Sequence, residues 1–144
     1  MRYKFQTPSL MLAAALLLIL APVIHAGGGT AAITMNSMTV DTTTAGEATI
    51  TVNITNDGSG RIKVDLNVIA LGDCAGDVFT CDIYDCSRSG VGSIDGVNLD
   101  AGMSEDYSIT LPLDAGDYVF RSRISGTKGG SEDQKWGVQS ATVL

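Results

Sequence analysis

The chain has 144 residues, nine basic and sixteen acidic side chains, 44% hydrophobic content and one histidine, for a formal net charge of −7. Such an acidic chain disfavours phosphate backbones and anionic lipid, so nucleic acid and charged membrane surfaces are not expected partners. The only imidazole, His25, lies in an amino-terminal segment expected to be removed, so Ser-His-Asp and Cys-His systems cannot be built and no enzyme is expected.

Arg2 and Lys4 precede an apolar run at 10–21, which Pro22-Val23-Ile24-His25-Ala26 closes. This is the layout of a secretory signal peptide over 1–26, with cleavage after Ala26. The run is short for a membrane span and Pro22 interrupts it, so no stable membrane insertion is expected after cleavage; a retained anchor is the competing reading. Export would make the mature chain secreted, periplasmic or attached to the cell surface. The remaining 118 residues, seven basic against sixteen acidic, suit one domain with one core.

Gly27-Gly28-Gly29 begins a flexible start at 27–30, and a single β-sandwich domain is expected over 31–144. In the first weak strand, Ile33 and Met35 share one parity while Met38 and Val40 share the other, which predicts a bulge or kink. Residues 44–71 carry the strongest pattern. Ala48, Ile50, Val52 and Ile54 alternate with Thr49, Thr51, Asn53 and Thr55, giving one apolar and one hydrated face. Asn56-Asp57-Gly58-Ser59-Gly60 is a turn, read either as a hairpin loop or as a crossing between sheets. Ile62, Val64, Leu66, Val68 and Ala70 then face one way, with Arg61, Lys63, Asp65 and Asn67 opposite and Ile69 breaking that polar series.

A Cys-rich, acidic excursion follows at 72–96, with a short strand at 78–84 and a loop at 87–96. Cys74, Cys81 and Cys86 allow one intrachain disulfide and leave one cysteine over, and all three pairings are open. Zn²⁺ is disfavoured by wide spacing and the loss of His25. Asp73, Asp77, Asp82 and Asp85 offer hard oxygen ligands for Ca²⁺, although their spacing is not that of an EF-hand and a solvated acidic loop is the plainer reading; no other cofactor is expected.

Further strands are expected at 106–113, with Tyr107, Ile109, Leu111 and Leu113 inward and Pro112 near the end, and at 118–124, with Tyr118, Phe120 and Ile124 inward and Val119, Arg121 and Arg123 outward. A polar, Gly-rich loop at 125–133 leads to a last strand at 135–144, where a parity change predicts a bulge near Gln139-Ser140. The sum is an all-β chain, an immunoglobulin-like sandwich of about seven strands after its signal peptide. Tyr84, Arg121, Arg123 and Trp136 form a candidate binding face, since Arg, Trp and Tyr are favoured contact residues. Aromatic burial tendencies nevertheless assign Trp136 to the core. Paired carboxylates could act on a glycoside without histidine, but no spacing marks such a pair. Asn53-Ile54-Thr55 fits the glycosylation acceptor pattern.

Three stretches resemble the CARDB-type family, cell-adhesion-related immunoglobulin-like domains of bacteria. They are the segment from Thr44-Ala45-Gly46-Glu47 to Asn56-Asp57-Gly58, Leu99-Asp100-Ala101-Gly102-Met103-Ser104-Glu105, and Asp114-Ala115-Gly116-Asp117-Tyr118. The excursion between Cys74 and Cys86 departs from the family pattern. The resemblance implies a secreted or cell-surface binding or adhesion module without catalytic activity, with protein or carbohydrate at the cell surface as partner. The alternatives are self-association as a filament or matrix subunit, with residues 27–35 adding a strand to a neighbour, and a Ca²⁺-binding extracellular domain.

Overall fold

The computed structural model describes residues 29–73 and 86–144. The signal segment, the strand expected at 78–84, and Cys74, Asp77, Cys81, Asp82, Tyr84 and Asp85 lie outside the described residues.

Seven strands account for the regular structure of the described residues: β1 (Ile33–Asp41), β2 (Glu47–Asn56), β3 (Ile62–Gly72), β4 (Ser87–Leu99), β5 (Ser104–Pro112), β6 (Gly116–Lys128) and β7 (Ser131–Val143). They form two antiparallel sheets, one in the order β1-β2-β5 and the other in the order β4-β3-β6-β7. One core draws on both sheets: Ile50, Val52 and Ile54 of β2, Val64, Leu66 and Val68 of β3, and Phe120 and Ile124 of β6 are fully buried. Burying each such side chain stabilises the fold by about 1.5–3 kcal/mol. The architecture is the expected immunoglobulin-like sandwich.

The two most regular strands, β2 and β3, lie in different sheets. The turn between them is therefore a sheet crossing, held by Asn56. This side chain is fully buried. Its Nδ2 donates to the carbonyls of Gly60 at 2.9 Å and Leu99 at 3.0 Å, and its Oδ1 accepts from the Gly58 amide at 3.0 Å. Its backbone amide donates to the Met103 carbonyl, and its carbonyl accepts from the Gly102 amide. A buried amide satisfied on every side can join two sheets without a desolvation penalty.

β1 has the expected irregularity, a register shift between Met35 and Ser37. β1 is also fastened to the other sheet, because the Ile33 amide donates to Asp133 Oδ2 at 2.8 Å and the Ala31 amide to Ser131 Oγ at 3.2 Å.

Three local expectations are corrected. Residues 87–96 are not a loop but most of β4. Its glycines suggested a loop, yet they are what lets β5 pack closely. A Cβ on Gly92 would lie 2.4 Å from the Ile109 side chain, and one on Gly90 would lie 3.1 Å from that of Leu113. Residues 125–133 are not a loop either. β6 runs on to Lys128, and a two-residue turn at Gly129 and Gly130, with φ of 52° and 85°, leads straight into β7. Paired positive φ values suit the tight turn of a twisted hairpin. Finally, β7 has no bulge near Gln139. Its pairing with β6 is continuous from Ser131 to Val143, so exposed and part-buried residues alternate along the strand.

Candidate functional site

Continuous register in β7 has a direct consequence. Glu132, Gln134, Trp136, Val138, Ser140 and Thr142 all point away from the core. The expectation that Trp136 is a core residue is corrected: it is 60% exposed. General aromatic tendency pointed inward, but parity on an edge strand points outward.

Pairing aligns the outer faces of four strands into three rows. One runs Ser93, Asn67, Arg123, Trp136; the next Val91, Ile69, Arg121, Val138; the third Arg88, Leu71, Val119, Ser140. Asn67, Ile69, Leu71, Arg121, Arg123 and Trp136 enclose a shallow cleft of about 290 Å³. Its floor is apolar: Leu71 is buried although it belongs to the outer face, and Ile69 is half-buried. Val138 and Val91 extend the apolar surface at its two ends, 49% and 56% exposed. Arg121 and Arg123 are half-buried and have neither a hydrogen bond nor an ion pair among the described residues. The two ion pairs of the described residues, Arg61 with Asp100 and Lys135 with Asp133, lie elsewhere.

Paired strands fix these groups better than a loop would. An aromatic plane, a hydrophobic floor, two guanidinium forks and the Asn67 amide converge on one concavity. Such a site can stack a ring and hydrogen-bond its substituents. Of the four expected face residues, Arg121, Arg123 and Trp136 are brought together, and Tyr84 lies outside the described residues. Asn67, Ile69, Leu71 and Val138 were missed. The signal for one of them was present: Ile69 interrupts an otherwise polar parity in β3.

Most residues of the remaining expected sites lie outside the described ones. Asp73 is exposed at the end of β3, with a φ of 48°, and the other three aspartates proposed for Ca²⁺ are not among the described residues. No group of three or more His, Cys, Asp or Glu residues placed to hold a metal is found among the described residues. Cys86 is not a free thiol. A larger cavity of about 720 Å³ at the end of the sandwich is lined by Asp73, Asp114 and Asp117 together with Tyr118, Leu113 and Gly72.

The groups with shifted ionisation lie away from both cavities. Hydrogen bonds from the backbone and side chain of Thr43 hold the Asp41 carboxyl below its usual range, and the Arg61 side chain does the same to Asp100. Lys135 and then the Ile33 amide lower Asp133. Burial pushes the Tyr107 phenol up to about 12, with the charge of Glu105 adding to it. These are features of the framework, not a catalytic pair.

No protein-family model and no curated protein matches the chain. Solved structures do. The GH3 beta-glucosidase of Bifidobacterium adolescentis is similar over 78% of this chain and 17% of its own, at 18% identity and a TM-score of 0.49. The beta-D-glucoside glucohydrolase of Trichoderma reesei matches over 79% of this chain and 19% of its own, at 12% identity and a TM-score of 0.47. DesR, a beta-glucosidase of Streptomyces venezuelae, matches over 79% and 15%, at 17% identity and a TM-score of 0.45. The chain thus spans less than a fifth of each of these proteins. These are glycoside hydrolases, and the expected adhesion module, with its filament-subunit and Ca²⁺-domain alternatives, is corrected on that finding. Strand donation also meets a physical obstacle, since residues from Ile33 onward are already paired in β1.

Proposed function

We propose that the protein is an exported, non-catalytic accessory domain that holds saccharide against the outer face of its four-stranded sheet. The observation that carries this reading is Trp136, exposed on the continuously paired strand β7 beside Arg123 and lining one cleft with Ile69 and Leu71. Sugar rings offer C–H faces that suit an aromatic plane and hydroxyls that suit guanidinium and amide groups at its rim. An exposed tryptophan costs solubility unless something covers it. The reading includes the expected export signal over 1–26 and a disulfide at Cys86, as traits of a domain working outside the cytoplasm.

Affinity electrophoresis of the full chain through gels containing soluble polysaccharides tests it. The wild type is expected to be retarded by at least one neutral or acidic polysaccharide, and Trp136→Ala to migrate as in an empty gel. Unretarded wild-type protein in every gel overturns the reading. Retardation undiminished by Trp136→Ala overturns the assignment of this face.

A further inference from the structure

The outer face of the four-stranded sheet has an unusual charge pattern for this chain. Its three central rows hold twelve residues, among them Arg88, Arg121 and Arg123, and none of the twelve is a carboxylate. The chain as a whole has sixteen acidic residues against nine basic. Among the described residues, the acidic side chains bordering these rows are largely engaged. Asp65 accepts from the Gly96 amide at 2.6 Å, Asp95 from Ser93 Oγ at 3.3 Å, and Asp117 from Thr142 Oγ1 at 2.5 Å. Asp73 stands beyond Leu71, exposed at the end of β3. None of them forms an ion pair with the three arginines.

Arg121 and Arg123 are two residues apart on β6 and so project from one face, about 7 Å apart along the strand. Each carries a planar fork suited to a carboxylate or a sulfate, and partial burial strengthens such a contact. Two guanidinium groups with no carboxylate partner among the described residues repel each other when they lie on one face. An anion placed between them relieves that repulsion.

We infer that the saccharide held on this face is anionic, bearing uronate carboxylates or sulfate groups. The inference rests on the saccharide reading above and deepens it. The anionic substituents lie against Arg121 and Arg123 while a ring stacks on Trp136. Arg88, at the far side of the same face, receives a further substituent of a longer chain. A free acidic polypeptide could satisfy the arginines, but it has no ring-rich face for Trp136 and the apolar floor.

Trp136 is the only tryptophan in the sequence, so intrinsic fluorescence reports directly on the site. The full chain is titrated with oligogalacturonate, with a sulfated heparin-derived oligosaccharide and with a cello-oligosaccharide of equal length. At least one acidic sugar is expected to shift the emission at a tenfold lower concentration than the neutral one, and added sodium chloride is expected to erase that preference. The double variant Arg121→Gln, Arg123→Gln is expected to bind acidic and neutral sugars alike, with the fold verified by its urea midpoint. If wild type responds equally to neutral and acidic sugars, the anionic inference falls and the saccharide reading stands. If no sugar shifts the emission, both fall. A response confined to poly-glutamate, or emission that shifts with protein concentration alone, overturns both in favour of a protein partner.

Discussion

The sandwich has two outer faces made by the same alternation of residues, and they differ in what they leave unsatisfied. On the three-stranded sheet, Thr49 bonds Thr110, Thr51 bonds Ser108, Asn53 bonds Asp106 and Thr55 bonds Ser104, at 2.6–2.8 Å. Asn36 adds bonds to Asn53 and Thr55 from β1. That face has turned its polar groups on itself. The four-stranded face instead exposes Trp136, Val138 and Val91 and leaves Arg121 and Arg123 without protein partners among the described residues. The contrast separates a surface satisfied by its own cross-strand bonds from one with unused contact capacity. A ligand gains more from the second.

The largest expected effect tests whether the open face is independent of the core beneath it. Phe120, fully buried, alternates with the outward Arg121 on β6. Phe120→Ala is expected to lower stability by about 3–5 kcal/mol through the lost burial and the cavity left behind. Trp136→Ala, one strand away but outward, is expected to stay within about 0.5 kcal/mol of wild type. Urea denaturation of both variants checks the pair. A loss above about 2 kcal/mol in Trp136→Ala would make that ring a structural residue and remove the ground for calling the face open.

A smaller effect is expected within β7 itself, whose two sides repeat the contrast. Trp136 points out, whereas Asp133 points inward, accepts the Ile33 amide and pairs with Lys135 at 2.8 Å. Lys135 and the Ile33 amide hold the Asp133 carboxyl below its usual range. A carboxyl whose folded pKa is depressed contributes stability above its unfolded pKa, about 3.9, and loses it as pH falls through the folded value. Asp133→Asn is therefore expected to be less stable than wild type at pH 6, with the gap narrowing at a pH below the unfolded value of about 3.9. Urea midpoints at the two pH values measure it. A gap that does not change with pH would assign the cost to geometry and not to the charge of Asp133.

What could be read from the sequence follows the same division. Strands whose apolar parity is unbroken, β2 and β5, were legible with their inward residues, because a half-buried sheet imposes period two on side chains. β4 was not legible. Its inward positions include Gly90 and Gly92, which contribute no hydrophobic signal because the side chains of β5 fill their space. The hairpin of β6 and β7 was hidden because Gly129-Gly130 sits among polar residues that also suit a long loop. Trp136 was misplaced for a physical reason: residue tendency averages over positions, while a continuous register fixes parity. The candidate site was half legible, through Arg121 and Arg123 facing outward, and its apolar floor was signalled by Ile69 alone.

The smallest expected effect probes the closed face directly. Thr49 and Thr51 of β2 each share a hydroxyl bond with β5, and all four hydroxyls lie at the surface. Replacing both with Val removes two exposed bonds. Water can still reach Thr110 and Ser108, so no buried group is orphaned. Valine also suits a pleated strand, which offsets part of the loss. The double variant Thr49→Val, Thr51→Val is thus expected within about 0.5 kcal/mol of wild type by urea denaturation, with polysaccharide retardation unchanged. A loss above about 1 kcal/mol would mean that the hydroxyl ladder stabilises the sheet beyond the value of exposed pairs. Lost retardation would move the saccharide contact to this face, and the contrast between satisfied and open surfaces would then no longer predict where a ligand sits.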